Sequence, residues 1–202
     1  MTLAAQRGLA HAWCMDELAL TVRCARPEDA ADLARIYIES WQDTYPGIVS
    51  SSLLGAMSFK GHAQRWQNTI RGADRRNGAV LVAEDAHHGV IGLCSLGPVR
   101  DGGTGFDGEI YTLYVDPGFL GRGIGSALMA GAFEAFKARK LRSCLIWAHA
   151  KNNACFFYEA MGGRRVATRT TRLLGELTPE IGFGWKQLAT VRQKRVLPSW
   201  DQ

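Results

Sequence analysis

The run Gly121-Arg122-Gly123-Ile124-Gly125 constrains this 202-residue chain more than any other segment. Just before it, Glu109 to Val115 reads as a buried strand that ends at Asp116-Pro117. Just after it comes an apolar helix with Leu128, Met129, Ala132, Phe133 and Phe136 on neighbouring turns. A strand that feeds a helix through small residues leaves several backbone N–H groups unpaired and pointing one way. With the positive end of the helix dipole they form an anion site, best suited to a phosphate or pyrophosphate. A tight turn whose glycines serve only packing is the alternative that the loop alone leaves open.

Spacing removes two better-known phosphate loops. A Walker A loop needs G-x-x-x-x-G-K-[ST], and no Lys follows any of these glycines. A dinucleotide fingerprint needs G-x-G-x-x-G, but the register from Gly121 ends on Ser126 and the one from Gly123 ends on Leu128. The next strand, Ser143 to Ala148, also lacks an acidic residue to hold a ribose. What remains resembles the pyrophosphate motif of the GNAT superfamily of N-acetyltransferases, Q/R-x-x-G-x-G/A. It reads here Leu120-Gly121-Arg122-Gly123-Ile124-Gly125, with Leu120 where Gln or Arg is usual. That departure removes one polar side chain and gives Arg122 more weight.

A second segment, Asn152-Asn153-Ala154-Cys155-Phe156-Phe157-Tyr158-Glu159-Ala160-Met161-Gly162-Gly163, is similar to the family's N-x-A-x-x-F-Y-E-x-x-G-[FG]. Read locally it is a short helix capped by Asn152 and stopped by Gly162-Gly163, with Phe157 and Met161 turned inward. Tyr158 either packs in the core or faces a cofactor. A third segment, Ser40 to Ile48 followed by Arg65-Trp66, is similar to a bacterial subgroup with W-x-x-x-Y-x-G after the first helix, here Trp41, Tyr45 and Gly47.

The remaining elements follow from periodicity and turn residues. Leu18 to Cys24 reads as a strand. Arg26-Pro27-Glu28-Asp29 starts a helix that ends near Trp41, its apolar positions Ala30, Leu33, Ile36 and Tyr37 fitting a helical period. Ser51 to Met57 and Gly61 to Ile70 read as two short helices. Ala79 to Glu84 and Val90 to Gly97 read as a hairpin, and Asp101 to Asp107 as a glycine-rich loop. Arg164 to Leu173 and Leu177 to Trp185 close the chain as two strands. This order matches the GNAT fold over residues 18–186, with 1–17 as an N-terminal extension and 187–202 as a tail. The resemblance implies a mixed α/β architecture: a mostly antiparallel twisted sheet of six to seven strands, flanked by helices and splayed between the fourth and fifth strands.

The resemblance also implies a chemistry. The expected reaction is acetyl transfer from acetyl-CoA to a primary amine of a small molecule or an exposed amino group, by direct attack in a ternary complex and without a metal. Gly121, Arg122, Gly123, Ile124, Gly125 and Ser126 would hold the pyrophosphate, with Asn152 also on the cofactor side. The edge at Leu113, Tyr114 and Val115 would pair with the pantetheine, and Tyr158 would serve the departing thiolate. Trp41 and Tyr45, with Trp66, are candidates for the acceptor wall or for a structural aromatic clasp. The general base is the least determined role: Glu109, on the face shared by Tyr111 and Leu113, is preferred over His149 and Asp43. An acyl-CoA-binding sensor without catalysis and an enzyme acting on aminoacyl-tRNA are the competing readings.

Composition bounds these readings. Hydrophobic content of 47% and charged content of 21% are those of one ordinary globular domain. No run approaches the ~18–20 apolar residues of a membrane span, and the first residues do not form a secretory signal. Five scattered cysteines, Cys14, Cys24, Cys94, Cys144 and Cys155, show neither metal spacing nor a disulfide framework, so free thiols in a cytoplasmic protein are expected. His87-His88 reads as a solvated turn. The net charge of +5 is spread over several clusters, which suits a polyanionic cofactor and speaks against a nucleic-acid partner. A homodimer is left open.

Overall fold

The computed structural model describes residues 18–188, apart from 48 and 174–175. The readings of 1–17, of most of the tail and of Cys14 therefore lie outside the described residues. The elements are β1 (Leu20–Cys24), α1 (Ala30–Thr44), α2 (Ser51–Gly55), α3 (Phe59–Gly72), β2 (Ala79–Asp85), β3 (Gly89–Pro98), β4 (Gly108–Val115), α4 (Ile124–Ala138), β5 (Cys144–His149), α5 (Ala154–Ala160), β6 (Arg164–Leu173) and β7 (Glu176–Trp185). The strands form one sheet in the order β1-β2-β3-β4-β5-β7-β6. Every pairing is antiparallel except β4 with β5. The expected mixed architecture, a mostly antiparallel sheet flanked by helices, is the one observed.

Two helical layers explain why β2 and β3 are apolar almost without interruption. On one face Val80, Val82, Val90 and Leu93 pack against Leu33, Ala34 and Ile36 of α1 and Trp66 of α3. On the other, Leu81, Ile91, Cys94 and Leu96 meet Ile124, Leu128, Met129, Ala132, Phe133 and Phe136 of α4. The α4 side chains are those whose helical spacing is visible in the sequence.

Helix α1 runs to Thr44, a turn beyond the expected end near Trp41. No residue breaks a helix before Pro46, and the Tyr45 N–H still reaches the Trp41 carbonyl at 3.0 Å. At its start, Asp29 accepts from the Arg26 N–H at 2.6 Å and from the Arg23 guanidinium at 2.8 and 3.0 Å. Arg23 also reaches Glu84 of β2 at 2.7 Å, tying β1, β2 and the α1 entrance together. These bonds hold the Asp29 carboxyl below its usual range, Arg23 contributing most. A carboxylate lowered on folding contributes stability above its unfolded value, and that contribution is lost as pH falls through the folded one.

Gly108 opens β4 because Phe136 of α4 lies against it. A Cβ there would meet Phe136 Cε1 at 2.5 Å, and that ring is fully buried and has nowhere to yield. Gly108→Ala is therefore expected to cost about 1–3 kcal/mol, the range for overpacking. Urea unfolding should show a lowered midpoint with an unchanged slope.

Candidate active site

The site begins where β4 parts from β5. Their parallel pairing covers only Gly108, Glu109 and Ile110 against Cys144, Leu145 and Ile146. Beyond it, β4 stays on β3, with Thr112 to Val115 opposite Gly92 to Ser95, while β5 stays on β7 through His149. The register of β3 and β4 slips between Ser95 and Leu96, which makes Tyr111 a bulged residue. A bulge adds local twist and bends its strand. The Tyr111 hydroxyl donates to the Pro98 carbonyl at 2.6 Å, holding β4 toward β3 as β5 leaves. The result is a cleft of about 660 Å³ between the two strands.

The Gly loop closes one end of this cleft. Gly121 and Gly123 have φ of +77° and +80°, a left-handed backbone that side chains rarely adopt, and a Cβ at either would meet nothing within 4 Å. Packing therefore does not account for these two glycines. Gly125 has a different role, because a Cβ there would meet the Phe157 ring at 3.2 Å. The first helical N–H to reach a carbonyl is that of Ala127, on Gly123 at 3.0 Å. The N–H groups of Gly121 to Ser126 have no carbonyl partner among the described residues, as expected at a helix start. Gly121, Gly123, Ile124, Gly125 and Ser126 line the cleft, as does Leu120, which is 58% exposed. Arg122 does not line it; its guanidinium lies 5.3 Å over the Phe119 ring, which does.

The middle of the cleft is lined by Leu113, Tyr114 and Val115 on one side and Ile146, Trp147 and Ala148 on the other. Helix α1 fixes the first wall: Ser40 donates to the Val115 carbonyl at 3.2 Å and Arg35 pairs with Asp116 at 2.6 Å. Trp41 donates from Nε1 to the Tyr114 hydroxyl at 3.0 Å. Asn152 caps α5 by accepting from the Ala154 N–H at 2.8 Å, and it lines the cleft beside Tyr158. Tyr158 is 4% exposed, between Phe157 and Phe183, so it serves the core and the cleft wall together.

Of the aromatic residues expected at the acceptor wall, only Tyr45 lines the cleft. Trp41 is buried between Tyr37 and Tyr45, with ring centroids 5.4 and 4.7 Å away. Trp66 lies in the core between α1 and α3. The clasp thus accounts for these two rings.

The preferred base, Glu109, is not brought to the cleft. It is 1% exposed and its carboxylate accepts from the Arg100 N–H at 3.0 Å, from Arg100 Nε at 3.1 Å and from Arg100 Nη2. Both oxygens of this carboxylate are thus already engaged by Arg100. His149 is buried, and its Nδ1 accepts from the Lys151 N–H at 3.0 Å. Burial and the Lys151 charge lower its pKa, so the imidazole is neutral near pH 7. Asp43, in the last turn of α1, is the one carboxylate among the described residues that lines the cleft.

Sequence reasoning missed Tyr111, Thr112, Phe119, Trp147 and Lys151 as lining residues. Tyr111 and Thr112 reach the cleft through the bulge, which no periodicity exposes; Phe119, Trp147 and Lys151 come from other elements that only the tertiary fold brings there. The chain's five tyrosines, Tyr37, Tyr45, Tyr111, Tyr114 and Tyr158, all have pKa values raised, chiefly by burial, with Tyr37 pushed to about 12. Fewer than half of the phenols should therefore be ionised at pH 10, about where a free phenol is half titrated. The stability these neutral phenols provide is complete below that pH and is lost as pH rises further. Ultraviolet titration of the folded protein checks this; half-ionisation near pH 10 without unfolding would contradict it.

The model of the acetyltransferase (GNAT) family matches residues 32–162. The chain is 31% identical over 174 residues to a Bacillus subtilis protein named uncharacterized N-acetyltransferase YuaI, covering 86% of this chain and 96% of that one. It is 23% identical over 150 residues to the spermidine N(1)-acetyltransferase of Thermoplasma acidophilum, covering 74% of this chain and 90% of that one. Among solved structures, the fold is similar to PaiA N-acetyltransferase from Thermoplasma acidophilum in complex with coenzyme A. There the TM-score is 0.63 at 21% identity, over 81% of this chain and 98% of that one. It is also similar to YncA from Salmonella typhimurium with acetyl-CoA, with a TM-score of 0.61 at 18% identity over 90% of this chain and 99% of that one.

Proposed function

Because the chain belongs to the GNAT family of acetyltransferases, we propose that its cleft transfers an acetyl group from acetyl-CoA to a primary amine, by direct attack within a ternary complex. The protein is an N-acetyltransferase, and acetyl-CoA is its cosubstrate. The observation that carries the finer reading is the continuity of the β4–β5 splay with the Gly loop. One cleft joins an unpaired strand edge, a helix start with free N–H groups and a buried tyrosine.

Fit supports the assignment of parts. The left-handed Gly121 and Gly123, with open space where side chains would stand, suit close approach of a pyrophosphate to main-chain N–H groups. The cofactor supplies the acyl thioester. Leu113 to Val115 offer main-chain groups toward the splay, and fixing an extended donor there places its acyl end near Tyr158 and Tyr45. Asn152 holds the α5 start beside them. Tyr158 is kept protonated by burial across the working pH range, so its hydroxyl stands as a donor to the departing thiolate sulfur. The acceptor enters from the end lined by Tyr45, Tyr111 and Trp147, and Asp43 takes the amine proton through cleft water. The substrate is small, because aromatic rings and a cleft of this volume suit a small amine better than a folded tail. Cys24, Cys94, Cys144 and Cys155 are free thiols, consistent with a cytoplasmic protein.

Thiol release from acetyl-CoA, measured against a panel of amines, amino acids, polyamines and peptides, tests the activity. Tyr158→Phe keeps the ring but loses the proton donor, so kcat should fall roughly 10–1000-fold with little change in acetyl-CoA binding. Full activity of that variant at neutral pH would refute the role. For Asp43→Asn, kcat/KM should fall by about tenfold at pH 7. The deficit should shrink as pH rises and the amine deprotonates without help. A deficit independent of pH would make Asp43 a binding residue and not the proton acceptor.

A further inference from the structure

The acceptor end of the cleft lies on the sheet face opposite α4, where β5, β7 and β6 bring a second group of residues together. Trp147 lies with its benzo ring over Gly182 of β7, where a Cβ would stand 3.1 Å from Cζ3. Arg169 of β6 covers the same indole at 4.0 Å from its centroid and donates from Nε to Glu180 at 2.7 Å. On the β4 side, Arg100 lies 4.7 Å over the Tyr111 ring, with Nε and Nη2 directed at Glu109. Two guanidinium groups are thus stacked on Tyr111 and Trp147, two of the three aromatic rings at this end; neither arginine lines the cleft itself, and each is held in place by a carboxylate. Glu109 does most to raise the Arg100 pKa, and the Glu180 charge that pairs with Arg169 adds to it.

The unspent hydrogen-bonding capacity of the patch is mainly that of donors. Both Nη groups of Arg169 and Nη1 of Arg100 have no acceptor among the described residues. The Trp147 Nε1–H is buried and likewise donates to nothing, which is uncommon for a buried donor and calls for a partner. Both carboxylates, in contrast, already face a guanidinium. A carboxylate is a pure acceptor and matches the guanidinium fork. A polycation would add like charge beside two arginines and leave the indole N–H unanswered.

We propose that Trp147, Arg169 and Arg100 hold an oxyanion of the acceptor, so that the acceptor is a small amine bearing a carboxylate, as in an α-amino acid. This rests on the reading that the cleft acetylates an amine. Binding of the carboxylate over Trp147 leaves the amino group of the same molecule directed at the splay, beside Tyr45 and Tyr158.

The test compares each amino acid with the amine left by its decarboxylation: L-phenylalanine with phenethylamine, L-leucine with isoamylamine, and L-lysine with cadaverine. Thiol release is measured at saturating acetyl-CoA. The acids are expected to have kcat/KM at least tenfold above their amines. Arg169→Gln should narrow that ratio tenfold or more through KM, and Arg169→Lys should restore part of it. Preference for the bare amines, or an unchanged ratio in a folded Arg169→Gln variant, overturns the inference while leaving acetyl transfer intact. Thiol release with no amine of either kind would refute the proposed function instead, and the inference is then judged by binding. In ¹⁵N NMR spectra the indole N–H resonance that disappears in Trp147→Phe should shift on addition of L-phenylalanine and not of phenethylamine. A shift with the amine alone, or with neither, overturns it.

Discussion

The short parallel contact between β4 and β5 governs this molecule. Over Gly108 to Ile110 it joins the β1–β4 half of the sheet to the β5–β7–β6 half, and then it stops. Had the pairing continued, the sheet would be closed and the cleft absent. Two features draw β4 away, the bulge at Tyr111 and the Tyr111 bond to Pro98, while β5 stays with β7 along all of Cys144 to His149. An unpaired strand edge inside a protein leaves main-chain groups that need partners. Here the free edge faces the cleft, so those groups are available to a bound molecule.

Such an opening has to be held from behind. Helix α1 does this at the end of β4, through Ser40 on Val115, Arg35 on Asp116 and Trp41 on Tyr114. On the opposite face, α4 is buried against β2, β3 and β4 through Leu128, Met129, Ala132, Phe133 and Phe136, which places its N-terminus at the mouth of the splay. The Gly loop is therefore positioned by core packing at the far end of its own helix. Phe157 against Gly125 sets the approach of α5 and, one residue on, the position of Tyr158. The same contacts that bury apolar surface thus align the Gly loop, the open edge and the phenol.

Much of this was legible in the sequence, and what was not has physical reasons. Gly121 and Gly123 read as a strand-to-helix turn that leaves N–H groups free, and the structure gives both a left-handed backbone with room above it. Residues 152–163 marked a helix start and stop through Asn152 and the paired glycines. Trp41 and Tyr45 read as a wall or a clasp; their spacing on one helix could not say that Trp41 turns under Tyr114 while Tyr45 reaches the cleft. Glu109 was misplaced because strand alternation gives a face and not a partner. Arg100, nine residues earlier in a loop, claims its carboxylate. The patch around Trp147 was invisible for a related reason: Arg169, Glu180 and Gly182 meet it only through the register of β5, β7 and β6.

The most direct measurement of this account is amide hydrogen exchange with and without saturating acetyl-CoA. Exchange reports which backbone N–H groups gain partners. The account predicts new protection confined to residues 111–115 and 121–126, with the β1–β2 pairing unchanged. Saturable binding of acetyl-CoA that leaves both segments exchanging as before would contradict it, because the splay and the Gly loop would then not be where the cosubstrate lies.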